Sequence, residues 1–586
     1  MKKILSLFIA LSVMFSSCDD LFEPAIENFK DVEQMYNDPT YALGMLVNVY
    51  RTIPGVYDNS EYGTDDAVTN QKSNTYLNMA TGSWTAASYS PTNQWGNAIA
   101  AIQYINLYLE NVDKVNWSTD EELSKLFNRR TKGEAYGLRG MYMYYLLRAH
   151  AGFTAEGELL GVPVFTEFQT VNSDFNRERD TFEKCVQQAL DDLEMAEELL
   201  PWEYDDVNAV PAEFTSITQD FGKYNTVNGA KARQLFNGLI ARAYRTRLTM
   251  LAASPAFQDA SNTTTWEDAA YAAADVLNYK GGISGLASDG VEYYLKAVVD
   301  VAADGVNPNE ILWRENRTSG DNTQESANFP PSLYGNGQMN PSQNLVNAFP
   351  MANGYPITDA NSEYDKNAPY ANRDPRLAKY IIYNGSTAGV NNSVIYTGSS
   401  MGTDDGVDAV EQKSTRTGYY MRKRLRMDVN CNPNSSSNQQ HYTPRIRFTE
   451  MYLDFAEAAN EAWGPKDAKA GYSAYDVIKA IRQRAGVGGN EDPYLEDCAT
   501  SKDKMRELIR NERRLELCFE GHRFWDLRRW NADLNETVLG IDWKSDGTYE
   551  IKEVEKRLYE DYMRYCPIPY SEMLKYSNLK QNKGWE

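Results

Sequence analysis

Glu512, Glu516 and Glu520 stand four residues apart in the string R-N-E-R-R-L-E-L-C-F-E-G-H-R-F-W-D-L-R-R-W, Arg510 to Trp530. On a helix that spacing stacks three carboxylates on one face. A glycosidase needs two carboxylates about 5–10 Å apart across a cleft. Three on one helix, interleaved with Arg510, Arg513, Arg514 and Arg523, neutralise one another instead, so the cluster reads as a structural ion-pair network. His522 lies in the same string without a neighbouring Ser or Cys in a nucleophile pattern. The chain has three histidines, His150, His441 and His522, and none stands four residues from another. Neither a Ser-His-Asp triad nor a histidine metal site is therefore expected. There is no G-x-S-x-G, H-E-x-x-H or Walker A string. The run Asp404 to Glu411 puts Gly406 where a calcium loop needs a ligand and lacks the closing Glu, so it reads as a solvated acidic loop. The six cysteines, Cys18, Cys185, Cys431, Cys498, Cys518 and Cys566, contain no C-x-x-C pair. Sequence leaves a disulfide among the last five open. No metal and no cofactor is expected.

The elements that must hold these side chains are helical. Ile102, Ile105 and Leu109 recur at helical spacing, with Tyr104, Tyr108 and Val112 widening the face. Glu134 to His150 is a second helix. Asp180 with Glu183 resembles a capping box opening a third, whose face carries Phe182, Val186, Leu190, Leu193 and Leu200 before Pro201 stops it. Ala230 to Leu251 and Trp266 to Leu277 follow, the latter so rich in alanine that it suits close helix packing. The texture then changes to Gly, Asn, Ser, Thr and Pro, and helices resume at Thr449 to Trp463, Ser473 to Ala485 and Ser501 to Phe519. The fold class is mainly α, a tetratricopeptide-like helical scaffold with a large irregular loop-rich insertion, although no clean repeat of the chain on itself is found.

Composition agrees: 42% of residues are hydrophobic and 24% charged, which suits a packed core. The formal charge of −23 repels polyanions, so no nucleic-acid partner is expected. The 40 Tyr, 20 Phe and 11 Trp suit surfaces that recognise polar ligands through an apolar face.

Lys2 and Lys3 precede an uncharged, mainly apolar run from Ile4 to Phe15, shorter than the roughly 20 residues a membrane span needs. It suits a secretory signal. Ser16 and Ser17 before Cys18 resemble a lipobox, with cleavage before Cys18 and lipidation of its thiol; plain signal cleavage beside an incidental Cys is the alternative. Asp19 and Asp20 follow, as in the surface-export signal of Bacteroidetes lipoproteins, whereas in an enterobacterial host an Asp there would mean inner-membrane retention. The expected layout is a signal peptide over 1–17, a lipid anchor and tether over 18–40, a first helical block over 41–280, an irregular insertion over 281–447, and a second helical block over 448–586. The membrane is met through the lipid only.

The string from Glu512 to Trp530 resembles the C-terminal signature of the SusD/RagB family, outer-membrane glycan-binding lipoproteins of Bacteroidetes. Other segments agree in order: Trp95 with Ile102, Tyr104, Ile105 and Asn106; Gly133-Glu134-Ala135 with Leu138-Arg139; Gly161-Val162-Pro163; Asp374-Pro375-Arg376-Leu377. Phe448 to Leu453 with Ala456-Glu457-Ala458 and Glu461, Ile481 to Gly486, Pro567-Ile568-Pro569 with Glu572, and Gln581 to Trp585 complete the likeness, which covers nearly the whole mature chain. The resemblance implies four tetratricopeptide-like units and an irregular subdomain carrying the ligand surface. It also implies a non-catalytic surface protein that captures a glycan or oligosaccharide and works as a lid on a SusC-like TonB-dependent transporter. A surface-anchored glycoside hydrolase is the competing reading, which the carboxylate survey disfavours.

Sugar sites stack an aromatic ring on a pyranose or furanose face and hydrogen-bond the hydroxyls. Aromatics in loops are therefore the candidates. Trp84 and Tyr89 lie in a Thr/Ser/Gly-rich loop where family members often place a stacking Trp, and Asp65 and Asp66 lie in another early loop. Trp313, Arg314 and Asn316, then Tyr334, Arg373 and Tyr396, lie in the insertion. Trp84 is the first choice, because its small polar neighbours are expected to leave its face free. For each ring the plain alternative is local loop packing. Trp95, Trp525 and Trp530 are expected in the core.

Overall fold

The computed structural model describes residues 32–88 and 90–586. The signal segment, Cys18 and Tyr89 lie outside the described residues.

The principal helices are α1 (Pro39–Arg51), α2 (Trp95–Asn111), α3 (Glu121–His150), α4 (Phe182–Leu199), α5 (Gly238–Ala253), α6 (Trp266–Tyr279), α7 (Phe448–Trp463), α8 (Ala474–Ala485), α9 (Lys502–Glu516) and α10 (Arg523–Arg529). The sequence reading is corrected at three boundaries. Glu134 to His150 is only the second half of α3, which starts a dozen residues earlier where Asp120 caps it by accepting from Leu123 N at 3.1 Å. The cap of α4 is Thr181, accepting from Lys184 N, while the Asp180 carboxylate accepts from Val164 N at 2.8 Å. Ala230 to Ala232 form only a short turn; Gln234 has φ +73°, and α5 begins after Asn237, whose side chain accepts from Ile240 N.

Each helix from α1 to α7 packs on the next, and α7 also packs on α8 and α9. The fold is therefore a stack of helical hairpins with few short strands. Close approach depends on missing side-chain atoms. A Cβ at Gly133, Gly137 or Gly140 of α3 would lie 2.7 Å from Leu200, 2.1 Å from Phe236 or 2.8 Å from Leu193. Buried Ala269, Ala270, Ala273 and Ala274 on α6 face a similar row, Ala456, Ala458 and Ala459, on α7. Those two helices touch although residues 280–447 separate them in the chain.

The intervening segment is built on short antiparallel pairs: β1 (Ala67–Thr69) with β3 (Met339–Pro341), β2 (Ile311–Arg314) with β6 (Pro444–Arg447), and β4 (Ile381–Ile382) with β5 (Tyr420–Met421). A final hairpin pairs β7 (Val538–Trp543) with β8 (Tyr549–Glu555). A second hydrophobic core joins this region to the motif helices, Phe349, Tyr380 and Tyr419 meeting Leu515, Phe519 and Phe524. Among the described residues no helix is long and apolar enough to cross a membrane, no cluster could hold a metal, and the five cysteines are free thiols.

Candidate functional site

The structure separates the candidate residues by burial. Trp84 is 3% exposed, which corrects the expectation of a free ring. It follows a turn at Gly82 (φ +92°) and points inward, edge-on to Trp585 at 4.9 Å and Tyr559 at 6.3 Å. Its covering partner comes from the far end of the chain, so local composition could not reveal it. Trp313 is equally buried, donating from Nε1 to Gln234 O at 3.0 Å with its ring edge against Phe236 and Tyr244. Arg314 is spent on main-chain oxygens, those of Ala302, Val306 and Glu315, and Arg373 on those of Val346, Phe349 and Pro369.

Asp65 and Asp66 are anchors as well. Arg514 donates to both carboxylates at 2.7 Å, and Arg523 grips Asp65 at 2.9–3.0 Å. Burial works against ionising Asp65, but the two guanidiniums hold its carboxyl below the usual range. These four side chains tie the early loop to α9 and α10, and the one carboxylate oxygen without a hydrogen bond, Asp66 Oδ2, is buried 3.8 Å from Arg523. Asn316, Tyr334 and Tyr396 are exposed, the two rings by 54% and 46%.

The motif carboxylates are ion-paired, but not as the sequence suggested: α9 ends at Glu516 and leaves Glu520 beyond it, and the cations that pair with Glu512, Glu516 and Glu520 come from outside the motif, while Arg513, Arg514 and Arg523 pair with Asp454, Asp526 and Asp65. Glu512 and Glu516 are wholly buried and share Arg376 at 2.9 Å each; Arg482 and Arg484 complete them at 2.8 and 2.9 Å. Glu520 lies 2.6 Å from Lys423 and 2.8 Å from Arg447. Burial opposes its ionisation, yet the two cations hold it at about 2. A carboxylate clamped in this way is a poor proton carrier. Trp95, Trp525 and Trp530 are in the core, at 6–8% exposure.

The side chains best placed to stack a ligand were missed in the sequence. Tyr364, Tyr370, Tyr383, Trp543 and Tyr549 are all half-buried. Tyr370 stacks on Tyr383 at 4.3 Å and lies 5.9 Å from Trp543, which lies 4.9 Å from Tyr549. Polar groups lock the rings: Trp543 Nε1 donates to Tyr370 Oη at 3.1 Å, Tyr370 to Tyr419 Oη at 3.2 Å, and Tyr549 to Lys366 O at 2.7 Å. The Arg373 guanidinium lies 5.6 Å from the Tyr364 ring centre and so braces the group from within.

Local chemistry sets this arrangement. In W-K-S-D-G-T-Y, Asp546 accepts from Thr548 N and Oγ1, and Gly547 takes φ +84°. That turn places Trp543 and Tyr549 directly opposite across β7 and β8. The Tyr396 loop then docks on the hairpin: Ser399 donates from N and Oγ to the Asp542 carboxylate at 2.8 and 2.7 Å. A Cβ at Gly398 would lie 2.1 Å from Trp543 O. The loop that carries Tyr396 thus meets the hairpin through Gly398 and Ser399. A D-G turn flanked by aromatics was the one signal that marked it in the sequence; the three tyrosines of the insertion carried none.

A partly exposed group of rings can stack the apolar face of a sugar.

Comparison with known proteins gives a consistent picture. A family model described as the SusD family matches residues 309–585, and one described as "Starch-binding associating with outer membrane" matches residues 27–217. SusD-like protein P38 of Formosa agariphila is 24% identical over 546 residues, 91% of this chain and 92% of its own. SusD-like protein P2 of the same organism is 30% identical over 151 residues, 25% of this chain and 26% of its own. Among solved structures, a SusD-like protein of Bacteroides fragilis has a TM-score of 0.69 at 22% identity, covering 94% of this chain and 98% of its own. A SusD-like carbohydrate binding protein of that species also has a TM-score of 0.69, at 21% identity, covering 93% of this chain and 100% of its own. At such identities the likeness is one of fold.

Proposed function

The chain belongs to the SusD/RagB family, and on that premise we propose that it is a non-catalytic glycan-binding lipoprotein of the cell surface. It captures an oligosaccharide on the surface formed by Tyr364, Tyr370, Tyr383, Trp543 and Tyr549 and delivers it to a SusC-like TonB-dependent transporter. The observation that carries this reading is that group of half-buried rings, braced by its own hydrogen bonds. The carbohydrate-binding description of the Bacteroides fragilis neighbour and the outer-membrane association in the family description support it. The ion-paired carboxylates of α9 support the absence of catalysis.

A glycan array followed by calorimetry on the best ligand tests the reading: binding to a neutral oligosaccharide is expected, without new reducing ends after long incubation. Released reducing ends would make the protein a hydrolase. Anchoring is tested separately by Cys18→Ala, which should move the protein from the membrane fraction to the soluble one; a mutant still bound after a high-salt wash would refute the lipid anchor.

A further inference from the structure

A cavity of about 100 Å³ lies where the scaffold meets the motif helices, walled by α3, α5, α7, α9 and α10. It shares no residue with the aromatic surface. Most guanidiniums on its wall are matched: Arg247 pairs with Glu450 at 2.7 Å, Arg447 with Glu520 at 2.8 Å, and Arg513 with Asp454 at 2.6 Å. Arg148 is not. Among the described residues it makes no hydrogen bond and no ion pair, its Nε is buried without a partner, and its guanidinium lies over Trp525 at 4.3 Å and Tyr145 at 5.0 Å. A second wall residue, Arg528, is 3% exposed; it donates to Phe524 O and leaves Nε and Nη2 unpartnered. At the rim, Asp58 already accepts from Ser60 N at 3.0 Å and Tyr76 Oη at 3.2 Å.

Arg528 holds an unpaired guanidinium away from water, which is costly, and arginine cannot shed its proton to escape the cost; Arg148 is buried only in part and leaves its Nη groups without a protein partner among the described residues. The wall thus holds a surplus of positive charge in a space with room for a small group. His522, also on the wall, adds none at neutral pH, because burial lowers its imidazole to about 4.

We propose that this cavity is an oxyanion site, in which a sulfate or phosphate group receives hydrogen bonds from Arg148 and is further held by the charge of Arg528. Guanidinium forks match such groups in geometry as well as charge. The group is either a free ion or an ester on a sugar, and the two are separable.

Sodium sulfate is titrated calorimetrically into the purified protein at low ionic strength, with sodium chloride as the matched control. Arg148→Met keeps the apolar stem over Trp525 and removes the charge; Arg148→Lys keeps the charge and loses the fork. Sulfate is expected to bind the wild type and raise its melting temperature where chloride does not, with at least a tenfold loss in Arg148→Met and a smaller loss in Arg148→Lys. Galactose 6-sulfate binding as tightly as sulfate, with galactose inert, identifies a sugar ester; exclusion of galactose 6-sulfate identifies a free ion. Wild type that responds to sulfate no more than to chloride overturns the proposal, as does Arg148→Met with unchanged affinity. Should Arg148→Met not fold, selenate soaked into wild-type crystals decides: an anomalous peak at Arg148 supports the site, and peaks only elsewhere refute it.

Discussion

The motif core around α9 and α10 and the aromatic surface around Trp543 use the same side-chain types to opposite ends. In the core, most arginines and carboxylates pair with one another: Arg529 meets Glu457 at 2.6 Å through both Nη1 and Nη2, and Trp530 Nε1 donates to the same carboxylate at 2.6 Å. At the surface, Tyr370 accepts from Trp543 and stacks on Tyr383, and all three residues stay partly exposed. A long, dense sequence motif therefore marks what holds the protein together. The surface best placed to meet a ligand comes from segments of the insertion and the late hairpin, none of them a motif. Perturbing the core should cost stability and spare ligand affinity; perturbing the surface should do the reverse.

The largest effect is expected from Glu516→Ala. It leaves Arg376 and Arg484 facing an emptied site in a wholly buried network. Removing one partner of a buried ion pair costs about 3–5 kcal/mol; Arg376 keeps Asp374 and Glu512, and Arg484 loses its partner at 2.9 Å. Urea denaturation should show the loss, with ligand affinity of the folded fraction unchanged; a stable mutant that no longer binds would break the contrast.

Trp84→Ala comes next. Since its ring packs between Trp585 and Tyr559, truncation should cost about 3–4 kcal/mol of stability. Affinity for the glycan should hold. A mutant that keeps its melting temperature and loses binding would return Trp84 to the ligand surface.

The third test is pH. His150 is 1% exposed, accepts from Gln94 N at Nε2 and meets Pro567 O at Nδ1, which requires the neutral ring with its proton on Nδ1. Burial lowers its pKa to about 4. The unfolded chain takes up the proton near 6.5 and the folded one resists, so this stability is present above about pH 6.5 and is lost as pH falls towards 4. The urea midpoint should decline through that window, and less steeply in His150→Gln. Tyr and Trp side chains do not titrate there, so affinity at the surface, measured while the protein stays folded, should be flat.

The smallest energetic effect is expected at the surface itself. Trp543→Ala removes one stacking ring, worth about 0.5–1.5 kcal/mol beyond area burial, or up to about tenfold in Kd. Melting should shift much less than in Trp84→Ala. Unchanged affinity would remove Trp543 from the proposed site.

The sequence alone determined the helices and the family. Helical periodicity, caps and small-residue rows are local properties, read within a turn or two; the charges of the motif pointed to ion pairing, but the partners of its glutamates, Arg376, Arg447, Arg482, Arg484 and Lys423, arrive from outside it. Local pattern erred at the ends of α3, α4 and α5, where a single capping hydrogen bond or one left-handed residue, Gln234, sets the boundary. Which aromatics face the solvent was decided only by tertiary structure. Trp84 and Tyr396 are both loop rings followed by small residues, yet one is covered by Trp585, some five hundred residues away, and the other by nothing that hides it. Burial is a property of what arrives from elsewhere in the chain, and a stretch of sequence contains no record of its distant neighbours.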